Sequence, residues 1–446
     1  MYNEKCVTLF FISKDSMKKI VKLSTLAGML AATLLSVTSV HALTLEQVVE
    51  HTLKTNPELL SSRQQLLSRE SEISGAKAGL LPSLDLELGI GREGTESPAT
   101  GGSDVELTRK ESALRLRQLI YDGSATASEV DRQKARYNSQ LFDTVATEQQ
   151  IALRVTEVYI NALRQSELLQ LLRASLDAHQ NIYDQMSLRS DAGVGSRSDL
   201  DQIAARLALA KSNYIAGQNN LQDAVSNFYG VVGYLPESST MERPLPFSLT
   251  DKLEISLQIA FANHPQLKSA DADIEAAKAQ YRASKSSFYP TLTLEGDRTI
   301  NEDIDGVEGT NEDWTIALRL RYNLYKGGAD VARKNQTAEL IGEAQQVRAT
   351  TKRQVEEGLR LSWSAYSFTS QQIEFLTTYV DSVVATREAY QKQFNIGRRS
   401  LLDLLNTENE VLDAKRNYLN ADYDRLFARY RVVQAEGTLT NKLGIK

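Results

Sequence analysis

The chain has 446 residues, a net charge of −6, eight prolines and a single cysteine, Cys6, with 24% charged and 41% hydrophobic residues. That balance excludes a disordered or disulfide-stapled protein, and the acidic excess argues against a general nucleic-acid binder. All eight prolines lie at or before Pro290, the profile of a chain dominated by long helices.

Residues 17–42 run from a basic start through an apolar stretch to small residues ending at Ala42, which is the pattern of a secretory signal peptide cleaved before Leu43. Residues 1–16 precede a better start at Met17 and read as an over-extended N-terminus. Residues 1–42 hold five Lys/Arg and two Asp/Glu, so the remainder carries a net charge of −9 and no cysteine. That remainder has no run of 18 apolar residues, so no transmembrane helix is expected.

A first helix is expected from about Thr44 to Leu81, where Pro82 stops it. Two short strands follow, separated by the Gly-, Ser- and Thr-rich stretch Gly91–Lys110, which reads as a mobile surface tip. From Ser124 to Ala192 there is neither Gly nor Pro, and apolar residues recur at helical spacing through Leu141, Val145, Ile151, Val155 and Val158. Such a stretch predicts one amphipathic helix of roughly 100 Å that needs helical partners. Gly193-Val194-Gly195 then turns the chain into a returning helix over 197–232.

The same order then repeats. Leu45–Leu88 aligns without a gap on Leu253–Gly296, which puts Asn56-Pro57 on His264-Pro265 and Pro82 on Pro290. LRLRQLIYDGSA at 114–125 falls on LRLRYNLYKGGA at 318–329, and Gly193, Ser196, Asp199 and Leu200 fall on Gly397, Ser400, Asp403 and Leu404. The chain therefore divides into a leader (1–42), a first repeat (43–235), a linker with three prolines (236–252) and a second repeat (253–446). In the second copy the long helix spans about 329–396 and the returning helix about 400–434.

The strands carry the decisive pattern. Leu84, Leu86, Leu88 and Ile90 alternate with Ser83, Asp85, Glu87 and Gly89; Trp314, Ile316, Leu318, Leu320 and Tyr322 alternate with Thr315, Ala317, Arg319 and Arg321. Successive side chains point to opposite faces, so one face is apolar and the other carries full charges. Strands of nine to eleven residues with this alternation suit a transmembrane β-barrel, apolar outside and wet inside. An antiparallel sheet packed by one face on a soluble core alternates in the same way. The leader and the absence of covering elements favour the barrel.

Two hairpins supply four strands, and four strands cannot close. An open edge in hydrocarbon leaves backbone groups unpaired at several kcal/mol each, so more than one copy must contribute. Two copies give eight strands and three give twelve; strand physics does not choose between them.

These features together — leader, duplication, Asn-Pro/His-Pro and Pro82/Pro290 markers, YDGSA/YKGGA junctions — resemble the TolC-like outer-membrane exit ducts of Gram-negative bacteria. The resemblance implies mixed α and transmembrane β structure. Three chains would share a twelve-stranded barrel continued by a tapering α-helical tunnel of coiled coils across the periplasm. The run Ala192–Gln202 looks most like the type I secretion branch, which works with a periplasmic adaptor and an ABC exporter of large adhesins or toxins. A multidrug efflux channel serving a proton-driven pump shares the scaffold, and a soluble periplasmic coiled-coil scaffold is the reading from another class.

Carried over by position, Asp403 would supply a ring of carboxylates at the tunnel entrance. Asn406 sits where the best-studied member has a second aspartate, and Phe394 where it has a gate tyrosine. Arg399 would hold the gate through Asp199 or Ser198 of a neighbouring subunit, and Gly193, Val194, Gly195, Gly397 and Arg398 would meet the adaptor. Asp199 and Asp403 also suit the first turn of a helix, where the dipole favours acids.

No catalytic constellation, nucleotide loop or cofactor motif is present, and His51, His179 and His264 read as packing or surface residues. Asn301–Glu312 matches most of an EF-hand calcium pattern, but it joins two strands where an EF-hand needs two helices, so no metal is expected. The chemistry expected is that of a pore, a gate and docking surfaces, without an enzyme's active site.

Overall fold

A computed structural model describes residues 43–236, 241–250 and 252–445. The expected signal peptide lies outside them, as do parts of the linker.

The single first helix expected from Thr44 to Leu81 is two helices, α1 (Leu45–Thr55) and α2 (Pro57–Ala78). Pro57 has no N–H to give the preceding turn and clashes with it, so α1 stops there. Asn56 turns extended, with ψ 123°, and its Oδ1 accepts from the N–H groups of Glu58 at 2.9 Å and Leu59 at 3.3 Å. Proline at the first helical position then costs α2 nothing. The second copy breaks in the same place, into α5 (Leu253–Asn263) and α6 (Pro265–Ser284).

The strands are β1 (Ser83–Glu96), β2 (Asp104–Tyr121), β3 (Thr291–Ile304) and β4 (Val307–Arg321), an antiparallel sheet in the order β1-β2-β3-β4. They run 14 to 18 residues, longer than expected. The reason is that pairing continues past the apolar stretch: Arg92 still faces Thr108 and Glu96 faces Asp104. The stretch read as a mobile tip is thus mostly strand, closed by a 3-10 turn at Pro98–Thr100.

The two long helices, α3 (Ala125–Asp191) and α7 (Ala329–Asn395), each have 67 residues. At 1.5 Å per residue that is about 100 Å. Each returns as an antiparallel hairpin, through α4 (Arg197–Val232) and α8 (Leu401–Ala435), and a last short helix α9 spans Leu439–Lys442. On the strand side of the mid-level, α2, α3, α6 and α7 pack in that order.

Midway along α3, Ile151, Val155, Tyr159 and Ile160 gather α1, α4, α8 and α9 into the largest apolar cluster. The linker is clasped to that level. Met241 pairs with Leu43 as an isolated parallel bridge, and Tyr159 Oη lies 2.6 Å from the carbonyls of both Leu43 and Glu242. Arg243 pairs with Asp422 and lies over the ring of Tyr423 at 4.8 Å. A second apolar cluster sits at the far end of the hairpins, where the residues expected at the entrance lie.

Candidate transport path and entrance

The sheet presents two unlike faces. On one, Leu84, Leu86, Leu88, Ile90, Trp314, Ile316, Leu318 and Leu320 are all exposed in the single chain. Apolar side chains exposed in such number are stable only against lipid or another protein. Trp314 lies on this face and the exposed Tyr322 directly follows the last residue of β4, eight residues on; at strand spacing that is about 27 Å, or near 20 Å in height at a tilt of about 40°. That approaches the apolar band of an outer-membrane barrel, with the two aromatics at its rims.

Beyond the band the same face turns charged, and every seam carries one ion pair: Arg92–Glu106 at 2.5 Å, Lys110–Glu302 at 3.0 Å and Arg298–Glu312 at 3.1 Å. The opposite face is charged along its whole length on the helix side. Glu87 pairs with Arg115, Arg115 lies 3.6 Å from Asp297, and Glu295 takes both Arg319 at 2.7 Å and Arg321 at 3.3 Å. Such a face needs water, which identifies it as the wall of an aqueous path.

At the other end of the long helices, both hairpins turn by the same device. Gly193 (φ +73°) and Gly397 (φ +76°) adopt the left-handed conformation that closes a helix. The N–H of Gly193 donates to Ser190 O and that of Val194 to Arg189 O; likewise Gly397 donates to Phe394 O and Arg398 to Gln393 O. This double bond pattern satisfies the last carbonyls of α3 and α7. It leaves the Val194 side chain 79% exposed at the turn. Gly195 is needed for room, since a Cβ there would meet the Ser190 nitrogen at 3.0 Å.

The residues singled out at the entrance divide into three groups. Asp403 is half-buried in the first turn of α8, where its N–H donates to the capping Ser400 Oγ at 3.1 Å, and Asn406 is exposed one turn on. Arg399 is held on its own hairpin: its Nε donates to Gln393 Oε1 at 3.0 Å, its guanidinium lies 4.1 Å from the Tyr390 ring centroid, and Asp403 Oδ2 is 3.6 Å away. Within one subunit Arg399 touches neither Asp199 nor Ser198, and Ser198 instead bonds Ser196 Oγ at 2.8 Å.

Phe394, expected at the entrance constriction in the place of a gate tyrosine, is instead a packing residue within the single chain. It is buried among Ile182, Met186, Ile203, Leu401, Leu404 and Leu405, with the Arg189 guanidinium 5.1 Å from its ring centroid. A side chain enclosed by two hairpins of its own chain faces no aperture; it fastens α7 to α3 and α4. Carry-over by position conceals this, although the helical spacing of Ile182 and Met186 marks the face it packs on.

Asn301–Glu312 is the β3–β4 hairpin, with left-handed Asp303, Asp305 and Gly306 and with Gly309 N–H donating to Asp303 Oδ1 at 2.9 Å. Its topology is not that of an EF-hand. Among the described residues no group of three His, Cys, Asp or Glu is placed to hold a metal ion. His51 lies edge-on to Tyr234 at 5.0 Å, and the buried His179 has its Nδ1 2.8 Å from Ser175 O. His264 is buried, its Nδ1 without a partner among the described residues, and that desolvation drags its pKa down to about 4.

The outer membrane efflux protein family model matches residues 48–234 and 256–438. Among curated relatives, BepC of Brucella suis is 23% identical over 94% of this chain and 91% of its own. TolC of Escherichia coli is 24% identical over 89% of this chain and 83% of its own. AprF of Pseudomonas aeruginosa, an alkaline protease secretion protein, is 24% identical over 87% of this chain and 83% of its own. The solved Campylobacter jejuni CmeC outer membrane channel superposes with a TM-score of 0.77 over 89% of this chain and 86% of its own, at 18% identity. A sheet made to stand between lipid and water, carried on helical hairpins about 100 Å long, accords with all of these: the chain belongs to the outer membrane efflux protein family, the TolC-like channels whose helical part extends into the periplasm.

Proposed function

We propose that this channel is the exit duct of a type I secretion system, and that three copies share one twelve-stranded barrel. A periplasmic adaptor would meet the hairpin turns at Gly193, Val194, Gly195, Gly397 and Arg398, and an ABC exporter would drive an unfolded adhesin or toxin through the tunnel. The energy belongs to the exporter, since this chain has no nucleotide-binding motif. The observation that carries the secretion reading is the entrance run Ala192–Gln202, most like that branch, and a relative named for protease secretion aligns over nearly the whole chain.

The second reading is efflux of small amphipathic compounds, favoured by the name and long alignment of BepC. Deleting the gene separates the two. Loss of a large surface or secreted polypeptide with normal dye accumulation supports secretion. Raised dye accumulation with normal export would sink it in favour of efflux.

A further inference from the structure

The sheet ends in two open edges, β1 and β4, each presenting a row of backbone donors and acceptors. On the channel reading proposed above, copies of the chain close on one another at these edges, and the duplication supplies the register. β4 corresponds to β2 through LRLR at 318–321 and 114–117; β1 corresponds to β3 through 84–88 and 292–296. The seam from β4 of one copy to β1 of the next is therefore the counterpart of the β2–β3 seam inside one chain. There Arg117 faces Glu295, Leu116 faces Gly296 and Leu114 faces Arg298. Carried to the outer edges, these pairs become Arg321 with Glu87, Leu320 with Leu88 and Leu318 with Ile90.

We infer that a second copy of this chain docks edge to edge in that register, keyed by an ion pair between Arg321 and the neighbouring subunit's residue at position 87 on the water-facing side. Charge supports it independently of the repeat. On the helix-side half of that face the strands alternate in sign: Asp85 and Glu87 on β1, Arg115 and Arg117 on β2, Glu295 and Asp297 on β3, Arg319 and Arg321 on β4. Each seam within the chain is bridged by an ion pair. Among the described residues Asp85, on the open edge, makes none, and Glu87 has one ionic partner, Arg115, on the inner side.

The two edges thus carry opposite signs. Head-to-tail addition continues both the antiparallel ladder and the alternation of charge around the ring. Joining β1 to β1 sets acid against acid, and joining β4 to β4 sets base against base, which destabilises directly opposed pairs. A heterologous contact of this kind closes into a ring when the rotation allows. On the lipid side the same register stacks Leu320 on Leu88 and Leu318 on Ile90, all exposed in the single chain.

The test exploits a sequence that has no cysteine after residue 42. Leu88→Cys with Leu320→Cys is oxidised in outer-membrane fractions beside Leu88→Cys with Ile316→Cys, which lies on the same face off register. Leu116→Cys with Gly296→Cys, the equivalent pair inside one chain, reports whether such a pair can form a disulfide. The expected result is a covalent oligomer from the 88/320 pair, at least about tenfold more abundant than from 88/316. In addition, Arg321→Glu lowers the fraction of assembled oligomer and Glu87→Arg on the same chain restores part of it.

Equal cross-linking by the two pairs overturns the register. So does no 88/320 product from assembled channels whose 116/296 pair closes; in both cases the channel reading stands. Unchanged assembly of Arg321→Glu overturns the ion-pair key. A chain absent from the outer membrane overturns the channel reading and this seam together.

Discussion

His264 and Asn56 occupy the same place in two copies of one unit, the junction that starts α6 and α2, and they fill it differently. Asn56 caps two N–H groups of α2, whereas His264 makes no side-chain cap and its buried Nδ1 has no partner among the described residues. An uncapped helix start is worth about 1 kcal/mol, so His264→Asn is expected to raise the melting temperature of the purified channel at pH 7. The same substitution removes a titration. Burial holds the folded pKa near 4 against an ordinary value of 6.5, so between those values the unfolded chain binds a proton that the folded chain refuses. Stability from this group is therefore complete above pH 6.5 and declines toward pH 4, by at most about 3 kcal/mol. Melting curves at pH 7 and pH 4.5 should differ less for His264→Asn than for the natural chain; an equal drop would remove His264 from the account. Phe394 gives a second prediction at this scale. Truncating it to Ala in a cluster that joins both hairpins should cost about 3–5 kcal/mol locally, and the loosened tip should show as higher single-channel conductance. Unaltered conductance would mean that the entrance is not held by this cluster.

Among the elements, the strand-to-helix junctions show how far two copies of one motif can diverge. Gly123 (φ +67°) and Gly327 (φ +61°) correspond in the repeat, and both need the left-handed conformation. A Cβ on Gly123 would meet Tyr289 Cβ at 2.8 Å and Ser286 O at 2.9 Å, whereas around Gly327 there is open space. Gly327→Ala should cost only the backbone term of about 1–2 kcal/mol, and Gly123→Ala clearly more; thermal unfolding of the two variants side by side checks the order. Much at this scale was readable beforehand. The absence of Gly and Pro from 124 to 192 marks α3, and Gly193, Gly195 and Gly397 mark the two hairpin turns. Two boundaries are hidden in the sequence for identifiable reasons. Apolar periodicity runs straight through Asn56-Pro57, so a proline that the first turn of a helix accepts looked like part of one helix. Strand length was underestimated because the outward face changes from Ile90 to Arg92, and the end of the lipid band resembles the end of a strand. The hydroxyl contacts that fix the helix seams had no sequence signal at all: Ser62 with Thr144 at 2.8 Å, Ser139 with Ser269 at 3.1 Å and Ser284 with Thr337 at 2.9 Å. Small polar residues at those points allow close approach, so Ser139→Leu should overpack its seam by about 1–3 kcal/mol while Ser139→Ala costs less.

For the whole molecule the open question is how much charge the entrance presents to what passes through it. In an assembly of several copies Asp403 would recur around the axis, and a ring of carboxylates between low-dielectric walls attracts cations. The geometry of one chain tempers that. Arg399 Nη1 stands 3.6 Å from Asp403 Oδ2, and both side chains are more than a third exposed, so the pair is screened and its mutual attraction is worth little as stability. Its effect on permeating ions is a separate matter, because each Arg399 offsets the field of the carboxylate beside it. Two single variants should therefore move ion selectivity in opposite directions. Asp403→Ala leaves the arginine alone and should lower cation preference, whereas Arg399→Ala leaves the carboxylate alone and should raise it. Reversal potentials of single channels in a salt gradient measure both, and raising the salt should shrink both shifts as screening grows. A shift in the same direction for the two variants would mean that they act by loosening the hairpin, since Arg399 also anchors Gln393 and Tyr390 on α7. No shift for Asp403→Ala would remove that carboxylate from the permeation path and leave it as a helix-start residue favoured by the dipole of α8.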